Sequence, residues 1–330
     1  MEKFIKNLPK AELHLHIEGT LQPELMLKLA QRNNISIPYT SVDEIYKQLQ
    51  YTCLQDFLDL YYNGTSVLLH EQDFFDLTFA YLLKCKEENI LHTEIMFDPQ
   101  AHTQRGVPFE CVINGISRAC ETAKEQWGMS SLLIMSYLRH LSEAAAFETL
   151  TQSLPFKERI FAVGLDSSEN GNPPSKFKNV FEASKKEGYR LTAHAGEEGT
   201  FDYIWEALNL LQVERIDHGN ACLEDEKLLN YLIEHKIPLT LCPTSNVALK
   251  VIQHIHEHPV KTLLNKGVIA TINSDDPAYF GGYLNENYWQ VYNHLHLTKE
   301  EVTQLARNSF KYSFLSPAEK EKFIAKIDDL

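Results

Sequence analysis

Four histidines and three acids in this chain are spaced so that they could do chemistry together. His14 and His16 lie in "AELHLHIEGT", His194 and Glu197 in "AHAGEEG", His218 in "RIDHG", and Asp275 and Asp276 in "NSDDP". On a strand, residues i and i+2 share a face, so His14 and His16 would project into one space while Leu15 points away. Alone, the pair reads as well as two polar strand residues. His194 alone could donate to a backbone carbonyl, and Asp275 or Asp276 could cap the turn before Pro277. Glu197 could be an ordinary acid in a first helical turn. Taken together, His14, His16, His194 and Asp275 form a ligand set for zinc or another borderline divalent metal. The set has no thiolate, which points to a catalytic ion with an open position rather than a structural one. Such an ion makes a water nucleophilic near neutral pH. Glu197 could shuttle a proton, His218 adds an imidazole, and Asp276 adds a second carboxyl. The constellation is that of a hydrolase.

These residues need elements that bring positions 14 and 275 together. Eight short apolar runs qualify as strands: 11–16, 90–97, 130–138, 160–166, 189–195, 214–219, 237–243 and 268–275. Amphipathic stretches with apolar residues every third or fourth position lie between most of them. Eight alternations predict a (β/α)8 TIM barrel spanning 1–330 as a single domain. A doubly wound dinucleotide fold would bring a glycine-rich turn after an early strand, and none is present. The polar motifs all fall at the C-terminal ends of the predicted strands, the rim where barrel active sites lie. Residues 21–89 are too long for one crossover and are predicted to form a helical insertion that covers the pocket. Phe57, Leu58 and Tyr61 would give it an apolar face, for packing or for a flat ring. The "HIHEH" stretch with His254, His256 and His258 is read as a solvated face.

Composition narrows the partners. With 45 acidic and 31 basic residues the formal net charge is −14, and no basic block occurs. Nucleic acid and anionic membranes are therefore not expected as partners. No apolar run reaches the ~18 residues of a membrane span. "MEKFIKNLPK" lacks an apolar segment after its charges, so no signal peptide is expected. The six cysteines show no C-x-x-C spacing and are expected to be reduced, as in a cytoplasmic protein. The helix pattern is compatible with a homo-oligomer without requiring one.

In these motifs the sequence resembles the metal-dependent adenosine and adenine deaminase family of the amidohydrolase barrel superfamily. "AELHLHIEGT", "HAGEEG", "RIDHG", "CPTSN" and "NSDDPAYFGG" occur in family order over nearly the whole chain. The resemblance implies one Zn2+ per chain held by His14, His16, His194 and Asp275. It implies Glu197 as the acid–base residue, His218 beside the attacking water, and Asp276 against purine N7. The implied reaction is hydrolytic deamination at purine C6.

Departures from the nucleoside-specific members bear on the substrate. Glu18 replaces the aspartate that meets the ribose 5'-hydroxyl and would intrude on the sugar space. "GLDSSENGNPP" replaces a motif like "DLAGDE", and Ser168 or Glu169 would take the area near purine N3. Both this stretch and "DDPAYFGG" resemble the adenine deaminase branch. Adenine is therefore the expected small-molecule purine substrate, giving hypoxanthine and ammonia, with adenosine or a related 6-amino nucleoside as the alternative. Phosphotriester or amide hydrolysis would call for a bridging lysine, which is not evident. A non-catalytic barrel would be expected to lose a ligand or Glu197, and all are present.

Overall fold

The computed structural model describes residues 1–330. Eight parallel strands lie in chain order: β1 (Lys10–His16), β2 (Ile90–Phe97), β3 (Ser130–Leu138), β4 (Ala162–Asp166), β5 (Arg190–Ala195), β6 (Arg215–His218), β7 (Leu239–Leu241) and β8 (Ala270–Ile272). Each pairs with the next in sequence. The (β/α)8 barrel is present, with every predicted strand in place.

The barrel closes by an unusual seam. β8 was expected over 268–275, but its ladder ends at Ile272. Asn273 substitutes its side chain for a ladder partner: its Oδ1 accepts from Leu13 N–H (2.8 Å) while its own N–H donates to Leu241 O (2.9 Å). The chain then rejoins β1 at one bridge, Leu15 to Asp275. There His16 N–H donates to Asp275 O (3.0 Å) and Asp275 N–H to His14 O (3.2 Å). β1 itself shifts register between Glu12 and Leu15. Such irregularities re-aim side chains. Glu12 meets the Tyr81 hydroxyl of a surrounding helix (2.7 Å), whereas His14 and His16 face the rim.

The main core lies between the strands and the helices, and a separate small cluster of Met96, Ile134, Ala162 and Phe314 plugs the barrel. Beside the plug is a fully buried ion pair. Arg215 Nη1 donates to Glu94 Oε2 (2.5 Å), Arg215 Nη2 to Leu13 O (3.0 Å), and Phe314 N–H to Glu94 Oε1 (2.5 Å). Burial works against ionisation of Glu94, but the Arg215 guanidinium and His92 outweigh it and bring its pKa down to about 2.

Residues 21–89 hold four helices: Pro23–Arg32, Val42–Tyr46, Leu54–Thr65 and Glu71–Glu87. The last packs along helix Phe109–Trp127, and Gly115 permits the contact. A Cβ there would lie 2.6 Å from Phe74 Cβ. Helix Leu54–Thr65 instead reaches the rim, where Leu54, Phe57, Leu58, Tyr61 and Tyr62 line a cavity.

Replacing Arg215 by Met leaves the Glu94 carboxylate buried without its cation. The expected loss is about 3–5 kcal/mol of stability, read by urea denaturation at pH 7. Because the folded-state pKa of Glu94 is depressed, its contribution is present above its ordinary value of 4.5 and is lost as pH falls through about 2. The variant should lack that part of the acid dependence.

Candidate active site

A cavity opens at the rim, over the C-terminal ends of the strands and under helix Leu54–Thr65. His16, His194, Glu197, His218, Asp275 and Asp276 line it. Two of these residues adopt backbone conformations that side chains rarely accept: His218 has φ +65° and Asp275 has φ +64°. Such strain persists only where surrounding contacts over-determine it, and it concentrates at functional sites. Here barrel closure holds Asp275.

The imidazoles share one arrangement. His14 Nδ1 meets Thr240 Oγ1 at 3.0 Å, and that hydroxyl spends its proton on Asp217 Oδ1 (2.8 Å). Thr240 therefore accepts from His14 Nδ1–H, which leaves the Nε2 lone pair facing Asp275 Oδ1 at 3.2 Å. His194 Nδ1 turns toward Asp217 Oδ2 (3.9 Å) and its Nε2 inward. His16 Nδ1 faces Asp166 Oδ2 (3.4 Å), while its Nε2 lies 3.1 Å from His194 Nε2 and 3.5 Å from Asp275 Oδ1. His218 Nδ1 faces the Asn246 amide (3.4 Å), and its Nε2 lies 3.5 Å from Glu197 Oε2 and 3.8 Å from Asp275 Oδ2. All four Nε2 atoms converge; Thr240 and Asn246 stand at hydrogen-bond distance from the Nδ1 atoms of His14 and His218, while His194 Nδ1 has no partner. Ser245 donates to Asp275 Oδ2 (2.7 Å), which leaves Oδ1 for the imidazoles.

This donor set fits a divalent cation. His14, His194, His218 and Asp275 each offer a ligand atom within 4.8 Å of the others, and all are buried. His16 forms a second such group with Asp275 and Asp276. His14 Nε2 has no hydrogen-bond partner in the protein. Burial and its positive neighbours hold His194 well below the usual histidine range. Burial also opposes the charge on Asp275, yet His14, His218 and His16 hold its carboxyl well below the usual value. A carboxylate held ionised among imidazoles, of which His16, His194 and His218 are kept by burial below the usual histidine range, fits a cation site. Outer partners that fix the imidazole tautomers are typical of metal centres.

Glu197 follows β5 in a tight turn. Glu169 organises that turn by accepting from three backbone N–H groups, Gly196 (2.9 Å), Glu197 (3.0 Å) and Gly199 (2.5 Å). Arg139 steadies Glu169 (3.4 Å) and donates to His194 O (2.8 Å). Burial, then the nearby Asp275 and Glu169 carboxylates, push Glu197 well above the usual carboxyl range. Asp276 is pushed up in the same way by burial and Asp275, and its Oδ1 has no partner. Gly19 backs it, and a Cβ there would lie 2.6 Å from Asp276 Cβ.

Three expected substrate contacts lie behind the cavity wall. Glu18 is fully buried, and its Oε1 accepts from Asp98 N–H (3.1 Å) and His102 Nε2–H (2.9 Å). Ser168 donates to Glu198 (3.2 Å), and Glu169 serves the turn. Their place on the wall is taken by Asp98, Asp166 and Ser167. Of the "HIHEH" histidines, His254 and His256 are not buried, but His258 is 3% exposed and meets Asn246 Oδ1 at 3.2 Å, so the solvated reading fails for it. Residues the sequence did not single out include Asp217, Thr240, Asn246 and Arg139.

The adenosine deaminase family profile matches residues 9–330. The chain belongs to this family. An adenine deaminase from Wolinella succinogenes is 59% identical over 327 residues and covers 99% of both chains. One from Hahella chejuensis is 55% identical over 328 residues, covering 99% of this chain and 98% of its own. The crystal structure of adenine deaminase from Arthrobacter aurescens superposes with a TM-score of 0.96 at 48% identity, covering 98% of both chains. Within the family, the chain thus aligns end to end with members named for the free base.

The purified protein should carry one divalent ion per chain by plasma mass spectrometry. Asp275→Ala should lower that content at least tenfold. Equal loading in the variant would remove Asp275 from the ligand set.

Proposed function

We propose that this protein is a zinc-dependent adenine deaminase that hydrolyses adenine to hypoxanthine and ammonia in purine salvage. The observation that carries this reading is the convergence of four Nε2 atoms and the Asp275 carboxylate beside a buried, raised-pKa Glu197. End-to-end similarity to adenine deaminases supports the free base as substrate. A fused second metal centre would need a bridging lysine, and no lysine lines the cavity.

His14, His16, His194 and Asp275 would hold the zinc ion, leaving His218 Nε2 facing Glu197. The bound ion would supply Lewis acidity that makes a water nucleophilic near neutral pH. Glu197, kept protonated by burial, donates to the purine N1 and so makes C6 electrophilic. His218 aims its Nε2 at the oxygen being added and stabilises the developing charge. Asp276 orients the ring through N7. Water adds to C6; of its two protons one restores Glu197 and the other converts the exocyclic amine to ammonia, which leaves with the electron pair of the C6–N bond as the added oxygen becomes the C6 carbonyl. Helix Leu54–Thr65, part of the 21–89 insertion, serves as the lid of a single-domain barrel and excludes bulk water. No helix is long and apolar enough to cross a membrane; a cytoplasmic site of action accords with the free cysteines.

Steady-state kinetics should give a larger kcat/KM for adenine than for adenosine, and the reverse order overturns the substrate assignment. Glu197→Gln should lower kcat by about 10²–10⁴ while metal content stays at one per chain. Since Glu197 acts as an acid with a raised pKa, the wild-type rate should fall on the alkaline side of the pH profile. A near-normal rate in the variant removes Glu197 from the mechanism.

A further inference from the structure

The mechanism leaves one cavity-lining carboxylate without a task. Asp98 directly follows β2 and is 3% exposed. Its Oδ2 accepts from the Tyr61 hydroxyl (3.1 Å), and its Oδ1 has no partner. A buried acceptor without a donor is costly and calls for an explanation. Asp166, at the end of β4, also lines the wall, but its Oδ2 faces His16 Nδ1 (3.4 Å). Both Asp166 oxygens also lack a hydrogen-bond partner, but that carboxyl stands against the His16 imidazole.

Barrel topology says which edge of a substrate Asp98 meets. In a closed eight-stranded barrel, β2 stands across from β6 and β4 across from β8. His218 ends β6, and Asp275 and Asp276 follow β8. Asp98 and Asp166 therefore stand across the mouth from His218 and Asp276, clustered within 4.8 Å of His16 on the same cavity. In a purine, N3 is para to C6, and N9 is bonded to the carbon beside N3. A ring that presents C6 to His218 and Glu197 turns its N3–N9 edge toward Asp98. In free adenine that edge can offer an N–H at N9, whereas in a nucleoside N9 carries the sugar.

We propose that Asp98 is the specificity-determining residue for the free base, its Oδ1 accepting the purine N9–H. The proposal rests on the deaminase reading above. A substrate alkylated or glycosylated at N9 has no proton to give and leaves Asp98 Oδ1 buried and unpaired. A site built to hydrogen-bond a group rejects analogues lacking it far more strongly than an apolar pocket rejects a methyl. Asp98 is held from behind: its N–H donates to Glu18, and Glu18 accepts from His102 Nε2–H, whose Nδ1 in turn meets Arg105 Nη2 (2.8 Å). Glu18 is thus a positioning residue for Asp98 and not a sugar contact.

The test compares adenine with 9-methyladenine in wild type and in Asp98→Leu, which keeps the branched shape and removes the acceptor. Wild type should favour adenine in kcat/KM by on the order of 100-fold or more. D98L should lose adenine activity mainly through KM and narrow the ratio to under tenfold, at unchanged metal content. If D98L fails to fold, D98A takes its place, read by the same fall in kcat/KM for adenine. A ratio near one in wild type, or a wild-type ratio kept by the folded variant, overturns the role of Asp98. In that case deamination of adenine by wild type leaves the broader assignment standing. A wild-type protein that turns over adenosine but not adenine overturns both.

Discussion

The seam between β8 and β1 is the constraint on which the rest of the site depends. Asp275 exchanges backbone hydrogen bonds with the residues flanking Leu15, so the residue that completes the barrel also carries the carboxylate at its centre. The same bonds fix the backbone at His14 and His16. Barrel closure and the placing of this histidine–aspartate cluster therefore rest on the same hydrogen bonds. The left-handed φ of Asp275 turns its side chain back over β1, and the closed sheet stabilises a conformation that would otherwise cost about 1–3 kcal/mol.

Around this seam, protein groups stand behind His14, His16 and His218. Asp217 accepts from Thr192 (2.5 Å) and Thr240 (2.8 Å), and through Thr240 it sets the tautomer of His14. Asp166 stands behind His16, and Asn246 stands behind His218 while also reaching Glu197 (3.5 Å) and His258. His14 Nε2, His16 Nε2 and His194 Nε2 gather around the Asp275 carboxylate, whereas the Asn246 amide on His218 Nδ1 leaves the His218 proton on Nε2. A cation fits that cluster, and the protein supplies its cost through the folding of the whole barrel.

Much of this was legible in sequence because it rests on local pattern. Short apolar runs between amphipathic stretches specify alternating strands and helices, and the motif residues sit at strand ends because that is where a barrel exposes polar groups. What could not be read depends on pairings without local signature. Asn273 replaces a ladder bond with its side chain, so the end of β8 looked three residues longer than it is. Glu94 and Arg215 are 121 residues apart and meet only inside the closed barrel. His258 has the same spacing as His254 and His256, and only its docking on Asn246 sets it apart. Glu18 was visible as a departure, but its direction was not. Two donors behind the wall, the Asp98 N–H and His102, turn it away from the cavity.

The central claim is that one metal ion sits at the barrel seam and leaves His218 and Glu197 free to act. Anomalous diffraction at the zinc edge from crystals of the purified protein tests it most directly. One peak is expected about 2.0–2.1 Å from His14, His16 and His194 nitrogens and bound by Asp275 oxygen, with His218 outside bonding distance. A peak between Asp98 and Asp166, or none at the seam, would contradict it.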